Sequence, residues 1–361
     1  MTASLYIRPL ARIAPPARDR SPRLLPALAV AGRGDLLFAV AELIERDGEQ
    51  VVRRYHTAAD ILAGGPPEVA GLPSLLDRLR RPRAAIAGLA LDRPRMMGIV
   101  NVTPDSFADG GRYHARDAAI AHALQLEAEG ADILDIGGES TRPGADPVDA
   151  EEEWRRVGPV IEALAPRTRA RLSIDTRKAE VMRRAAQAGV HLINDVSALR
   201  HDPVSLETAA RTGLPVVLMH AQGDPRTMQL NPHYDDVALD VYDQLEQRVM
   251  ACVHAGIPRS LIAIDPGIGF GKTFRHNLQL LNQLTLFHGL GVAVLVGLSR
   301  KGFVGALTGE KSAGSRVHGS VGGAVQAALN GVHILRVHDV KATVEALAVA
   351  GAAMDPRSSE F

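Results

Sequence analysis

Eight short apolar runs between residues 96 and 340 each turn polar at one end, and those polar residues are the ones equipped for chemistry. Asn101 closes MMGIVNV, Asp135 lies in DILDIGG, and Asp175 ends RLSIDT. Asn194 and Asp195 close VHLINDV, Met219 and His220 end PVVLMH, and Asp265 lies in LIAIDPG. VAVLVGL runs into Ser299, Arg300 and Lys301, and HILRVHD closes on Arg336, His338 and Asp339. A single such residue could cap a helix or satisfy a turn. A polar residue at every run points instead to one shared binding site.

The residue types divide into two sets. Asp175, Asn194, Asp265 and Lys301 offer the acceptors and donors that suit a small nitrogen-rich heterocycle, because a buried carboxylate can take two N–H bonds from its edge. Arg336, His338, Asn101, Thr141 and Arg142 suit an oxyanion. A guanidinium fork matches phosphate oxygens, and Asn101 could hold a divalent metal that bridges a pyrophosphate. The two sets together imply a ligand that carries both parts. Only five of the 41 basic residues are lysines. Lys272 and Lys301, both at strand ends, therefore suggest a need for a compact ammonium.

Several motifs fail on inspection. PGIGFGKT resembles a phosphate-binding loop, but Pro266 stands where the first glycine is required. Its glycines read better as close backbone approach to a flat ligand, with Phe270 beside it. His191, His201 and His288 are isolated and read as surface or satisfied residues. No Ser/His/Asp or Cys/His set emerges, which argues against covalent catalysis.

The elements that must position these residues follow from periodicity. Between the runs lie Ala115–Glu129, Glu151–Leu164, Lys178–Ala188 and Tyr234–Ala255, with helical spacing of Ala, Leu and Val. Eight strand–helix units with right-handed crossovers predict a parallel sheet closed into a (β/α)8 TIM barrel, an α/β fold of ~250 residues. In that fold the C-terminal strand ends meet on one face. Two strand-end loops, Thr103–Tyr113 and Glu139–Asp149, are too rich in Gly and Pro for helix and read as mobile lids.

Residues 1–95 read as an N-terminal extension, and residues 96–361 as the catalytic barrel. In the extension, LLFAVAELIER and EQVVRRYHTA form a β-hairpin across Asp47-Gly48. Leu72–Leu79 reads as a short helix, and the arginines at 78, 80, 81, 83, 93 and 95 as a solvated linker. Composition bounds the rest. Lys+Arg and Asp+Glu both total 41, so no global field draws the protein to nucleic acid or acidic membranes. No apolar run approaches the ~20 residues of a membrane span. The run Leu24–Ala31 is short and broken by Pro26. Aromatic residues make up 4%, too few for a base-stacking surface. The lone Cys252 fits a reducing, cytoplasmic compartment.

At these positions the chain resembles the dihydropteroate synthases, a family of pterin-binding barrels. The matching blocks are MGIVNVTPDSFADGG, GADILDIGGESTRPGA, SIDTRKAEV, INDVSAL, MHAQGDPRTMQ, IDPGIGFGKT, GLSRKGF and ILRVHDV, in family order. The resemblance implies a transferase of folate biosynthesis, joining 6-hydroxymethyl-7,8-dihydropterin pyrophosphate to p-aminobenzoate with Mg2+ assistance. It implies that Asp175, Asn194, Asp265 and Lys301 hold the pterin, with Met219 packing on it and Asp135 supporting the pocket or its water. Asn101, Thr141, Arg142, Arg336 and His338 would take the pyrophosphate. Thr141, Pro143, Phe270, Lys301 and Gly302 would form the p-aminobenzoate pocket, and Asp109 would face a developing cation. A homodimer through barrel helices is also implied. Ala221 stands where the family often has Met, and Gly302 where many members have Ser. A pterin-dependent methyltransferase shares the barrel, but has no pyrophosphate to release and would not need ESTRPGA, SRK and RVHD together. A catalytically silent pterin-binding paralogue would bind without turnover.

Overall fold

The computed structural model describes residues 4–13, 26–64, 71–102, 111–140, 147–223 and 227–354. Four strands come first: β1 (Ser4–Ile13), β2 (Leu28–Val30), β3 (Arg33–Asp47) and β4 (Gln50–Thr57). Helices α1 (Ala58–Leu62) and α2 (Leu72–Arg80) follow. The expected hairpin is β3–β4, turning on Asp47 and Gly48. Strand β1 pairs antiparallel along the other edge of β3 and was not anticipated, nor was the three-residue β2.

Eight parallel strands then close a barrel in the order β10-β11-β12-β5-β6-β7-β8-β9. They are β5 (Arg95–Asn101), β6 (Ile133–Gly137), β7 (Arg171–Asp175), β8 (Leu192–Asp195), β9 (Val216–Met219), β10 (Ile262–Asp265), β11 (Ala293–Val296) and β12 (Ile334–Val337). The connecting helices are α3 (Gly111–Ala128), α4 (Ala150–Leu164), α5 (Ala179–Gln187), α6 (Ser205–Thr212), α7 (Val237–His254) and α8 (Phe274–Asn282). Two helices, α9 (Gly302–Thr308) and α10 (Val317–Leu329), follow β11, and α11 (Val340–Met354) ends the described chain. The (β/α)8 reading holds. Of the first predicted lid, residues 103–110 lie outside the described residues, and Gly111 to Tyr113 open α3.

Strand alternation explains both the core and the site. Side chains two apart on a strand share a face. Met97, Ile133, Leu192, Val217, Ala263, Ala293, Leu295 and Ile334 pack together inside the barrel, floored by Ile86 and Leu91. The residues between them face outward into the larger core beneath the helices, as Leu134, Ile193, Leu218, Ile264 and Leu335 do. Cys252, on α7, is fully buried in that outer core.

The N-terminal sheet packs on both faces along β1 and β3, whereas β4 is largely exposed. Tyr6 and Ile44 join the barrel's outer core, while Ile7, Phe38, Ala41 and Leu43 pack with Leu72, Leu75 and Leu79 of α2. The seam is also charge-matched. Asp236, Asp240, Asp243 and Glu246 recur every three or four residues along α7, which places them on one helix face. Arg53 meets Asp236 at 2.5 Å, Arg46 meets Asp240 at 2.7 Å, and Arg78 meets Glu246 at 2.7 Å. The Tyr6 hydroxyl donates to Asp243 at 2.8 Å. Arg83 donates to the His288 carbonyl at 2.9 Å. Arg95 and Arg93 both pair with Asp132. The arginine run is thus partly an anchor, not the solvated linker expected.

Candidate active site

The site is the next interior layer of the barrel. Two residues beyond Ile133, Leu192, Val217, Ala263 and Ile334 come Asp135, Asn194, Met219, Asp265 and Arg336, and Asp175 follows Ser173 in the same way. Another step of two reaches Asn101 from Ile99 and His338 from Arg336. One alternation therefore fills the barrel floor with apolar groups and its C-terminal mouth with polar ones.

Arg336 lies at the centre. Its Nε donates to Asp135 Oδ2 at 2.6 Å and its Nη2 to Asp175 Oδ2 at 2.7 Å. Asn194 Nδ2 donates to the same Asp135 oxygen at 3.0 Å. Arg336, assigned to the oxyanion set, thus pairs with the carboxylates of Asp135 and Asp175, the latter a member of the heterocycle set. Asp135 Oδ1 is buried without a hydrogen-bond partner among the described residues. Burial raises the Asp175 carboxyl above its ordinary range; Arg336 opposes that rise and Asp135 adds to it.

On the other side of the mouth, Asp265 accepts from the Gly267 amide at 2.7 Å. Burial raises its pKa, with Lys301 the leading opposing charge. Lys301 Nζ donates to the Ile268 carbonyl and sits 4.4 Å from the centre of the Phe270 ring, a cation–π contact. Burial pushes the Lys301 pKa down to about 8, opposed by Asp265 and aided by Arg336. His338 Nδ1 lies 3.1 Å from Ser299 Oγ. Arg300 forks onto Asp339, so it braces the β11 and β12 loops against each other.

Lys272 behaves differently from the expectation for a ligand-facing ammonium. It is buried, with Nζ 3.0 Å from both His220 Nδ1 and the Phe270 carbonyl. Burial brings its pKa down to about 7. His220 Nε2 in turn meets Gln244 Oε1 at 3.1 Å, which ties α7 to the β9 loop. The glycines after β10 also serve the protein itself. Gly267 has φ +67°, and a Cβ there would lie 1.8 Å from the His220 carbonyl oxygen. Gly269 has φ +88°, and its Cβ would meet Lys301 Cδ at 2.7 Å. They allow loops to interlock, where close approach to a flat ligand was expected.

A cavity of about 470 Å3 opens beside Met219 and Phe270, also lined by Val196, Arg200, Ala221 and Gln244. Gly302 opens α9, and a Cβ there would meet nothing within 4 Å. Asp109, Thr141, Arg142 and Pro143 lie outside the described residues. One ion network was missed. Glu139 accepts from Arg177 at 2.9 and 3.1 Å and from Lys178 at 3.0 Å, and Lys178 also meets buried Glu153 at 2.5 Å. The Val148 amide donates to Glu139 at 3.2 Å, so this end of the expected lid is a buried anchor. Among the histidines, His191 Nδ1 accepts from the Leu172 amide, His288 meets the Asn330 carbonyl through Nε2 while its Nδ1 is buried without a partner among the described residues, and His201 lines the cavity.

Comparison with known proteins bears on the family and the fold. Residues 97–338 match the model of the family described as pterin binding enzyme. The Escherichia coli K12 dihydropteroate synthase is 48% identical over 272 residues, covering 75% of this chain and 96% of that one. The Neisseria meningitidis serogroup C enzyme of the same name is 51% identical over 265 residues, covering 72% and 92%. The Xanthomonas albilineans dihydropteroate synthase solved with 4-aminobenzoic acid superposes with a TM-score of 0.72 at 54% identity, covering 76% of this chain and 98% of that one. The same enzyme in complex with 7,8-dihydropteroate gives a TM-score of 0.69 at 51% identity, covering 76% and 99%. With its polar layer set inside a closed barrel and its matches spanning nearly the whole of these relatives, the chain belongs to the dihydropteroate synthase family of pterin-binding enzymes.

Proposed function

We propose that the polar layer of the barrel mouth binds 6-hydroxymethyl-7,8-dihydropterin pyrophosphate and joins its exocyclic carbon to the amino group of p-aminobenzoate. The chain is a transferase of folate biosynthesis, and its products are 7,8-dihydropteroate and pyrophosphate. The observation that carries the site reading is the Arg336 fork between Asp135 and Asp175, with Asn194 on the same carboxylate. Those carboxylates are acceptors for ring N–H groups, and the unpartnered Asp135 oxygen can take one more donor.

In this reading Arg336 exchanges partners. A pterin that donates to Asp175 displaces the guanidinium, which then turns to the leaving phosphates. Lys301 and Asp265 hold the opposite edge of the heterocycle, with Met219 against its face. Departure of pyrophosphate leaves a positive charge that the pterin ring delocalises, and the buried carboxylates stabilise it electrostatically. The aniline nitrogen then attacks, losing its proton afterwards, so no strong base is required. Phe270, Lys301 and Gly302 border the p-aminobenzoate, together with Thr141 and Pro143. Arg142, Arg336 and His338 neutralise the leaving group, and Asp109 faces the cation.

Among the described residues no cluster of three His, Cys, Asp or Glu could hold a metal by itself. Asn101, half-buried at the end of β5, offers one carbonyl oxygen. That donor set fits Mg2+, which takes few protein ligands and completes its shell with substrate phosphates and water. Bound there with pyrophosphate, Mg2+ would supply charge neutralisation. A cytoplasmic location and a homodimer through barrel helices belong to the same reading, supported by the lone buried Cys252 and the family resemblance.

The test incubates the protein with the pterin pyrophosphate, p-aminobenzoate and Mg2+ and follows both products, with Arg336→Ala alongside. Mg2+-dependent product that falls ~100-fold or more in the variant is expected, as for removal of a preorganised charge. Pterin binding without any product would favour a silent paralogue, and methyl transfer would favour the methyltransferase.

A further inference from the structure

The seam between the N-terminal sheet and the barrel is charge-matched except at one place. On the barrel face opposite the reaction chamber, a cavity of about 220 Å3 lies against Ile262 and Ala293, the first residues of β10 and β11. Four arginines line it, Arg78, Arg81, Arg83 and Arg259, and no acidic residue does. Asp77 takes Arg81 from outside, and Glu246 takes Arg78 at 2.7 Å. Arg83 and Arg259 have only neutral acceptors among the described residues. Arg83 donates to the carbonyls of Arg78, Arg81 and His288, and Arg259 to the Leu290 carbonyl and Met250 Sδ. Two guanidiniums are thus gathered at one small cavity without carboxylates, in a chain whose charges otherwise balance.

The crowding has an electrostatic signature. Burial lowers the pKa of both groups, Arg83 to about 10; in each case a neighbouring arginine adds to the fall, and at Arg259 the Glu246 carboxylate opposes it. Like charges held this close favour an anion between them. The remaining wall is apolar: Pro82, Ile86 and Val292 join Ile262 and Ala293. A guanidinium matches phosphate oxygens in a fork, whereas an apolar wall rewards a flat or aliphatic body. The space is too small for a macromolecular segment and ample for a small organic anion.

We propose that this cavity is a second ligand site, separate from the reaction chamber, which takes a small phosphate monoester with an apolar body. The phosphate faces Arg83 and Arg259, with Arg81 at the rim, and the body lies against Ile86, Ile262 and Val292. Its walls come from both the extension and the barrel, so occupancy ties the two together and stabilises the folded chain by mass action.

Phenyl phosphate is the probe, titrated calorimetrically into the full chain, with inorganic phosphate and phenol as separate arms. Saturable 1:1 binding of phenyl phosphate, tighter than either arm and weakened by added salt, is expected. Arg259→Gln should weaken it about tenfold, the loss of one charge-assisted hydrogen bond. Arg259 also holds the Leu290 carbonyl, so the exposed Arg81→Gln provides a second variant that should weaken binding several-fold without disturbing the fold. Pterin affinity should be unchanged in both variants. Equal binding in wild type and both variants would place the anion elsewhere and overturn the proposal. Absence of saturable binding would do so too, and binding of inorganic phosphate as tight as the ester would remove the apolar half of the site.

Discussion

Arg336 holds two carboxylates at once, so a single guanidinium offsets part of the pocket's negative charge before any ligand arrives. This pairing was not legible in the sequence. Arg336 stands 201 residues from Asp135 and 161 from Asp175, and only closure of β12 on β5 brings them together. The residue types were legible, because each ends an apolar run. The sign of one pH effect follows from Lys301. With its pKa lowered to about 8 it is an ammonium below that value and a neutral amine above it. Pterin affinity should therefore fall as pH rises through about 8, and calorimetry in Lys301→Arg should show no such fall. The unfolded chain keeps this proton up to the ordinary 10.5, so between about 8 and 10.5 the same group makes folding more favourable as pH rises. A second prediction concerns Gly302, where a side chain meets open space. Gly302→Ser should leave the melting temperature unchanged and lower KM for p-aminobenzoate, read from steady-state kinetics. An unchanged KM would detach this position from the arylamine.

At the scale of elements, interlocked loops set the geometry that strands alone cannot. The β10 loop passes so close to the β9 loop that Gly267 tolerates no side chain. Gly267→Ala combines a left-handed φ with a collision against the His220 carbonyl, and should cost about 3 kcal/mol or more in denaturant unfolding. Pterin affinity should fall as well, because the Gly267 amide holds Asp265. If Gly267→Ala unfolds at the wild-type midpoint, the interlock is not rigid. The sequence marked these glycines as unusual but assigned their close neighbour wrongly, since backbone approach to a loop and to a ligand demand the same residue. The strand alternation was easier to read, because a buried parallel barrel needs it at every strand. β1 escaped notice for a physical reason. Its run SLYIRPLARI mixes Arg and Pro with apolar residues, and Arg8 and Arg12 find their acceptors on β3 and on the barrel, far along the chain.

For the whole molecule, the extension and the barrel share a core and a row of ion pairs along α7, so they should unfold together. Tyr6→Phe removes the hydroxyl that donates to Asp243 while keeping the ring against Tyr242. It should lower stability by about 1.5–3 kcal/mol, a hydrogen bond to a charged group, in a single cooperative urea transition. Two transitions would mean that the extension folds independently. The fold as a whole was the most legible feature, because eight repeats constrain topology more than any one run does. The extension's packing was the least legible, since its partners lie across the chain. The buried Cys252 turns this coupling into something that can be timed. It is the chain's only thiol, it lies on α7, and burial raises its pKa to about 11. A disulfide reagent can reach it only when α7 leaves the barrel, so the rate of thiol labelling is a clock on that opening. The protein thus carries its own single-site reporter, one that needs no engineered label and stays silent for as long as α7 stays packed on the barrel.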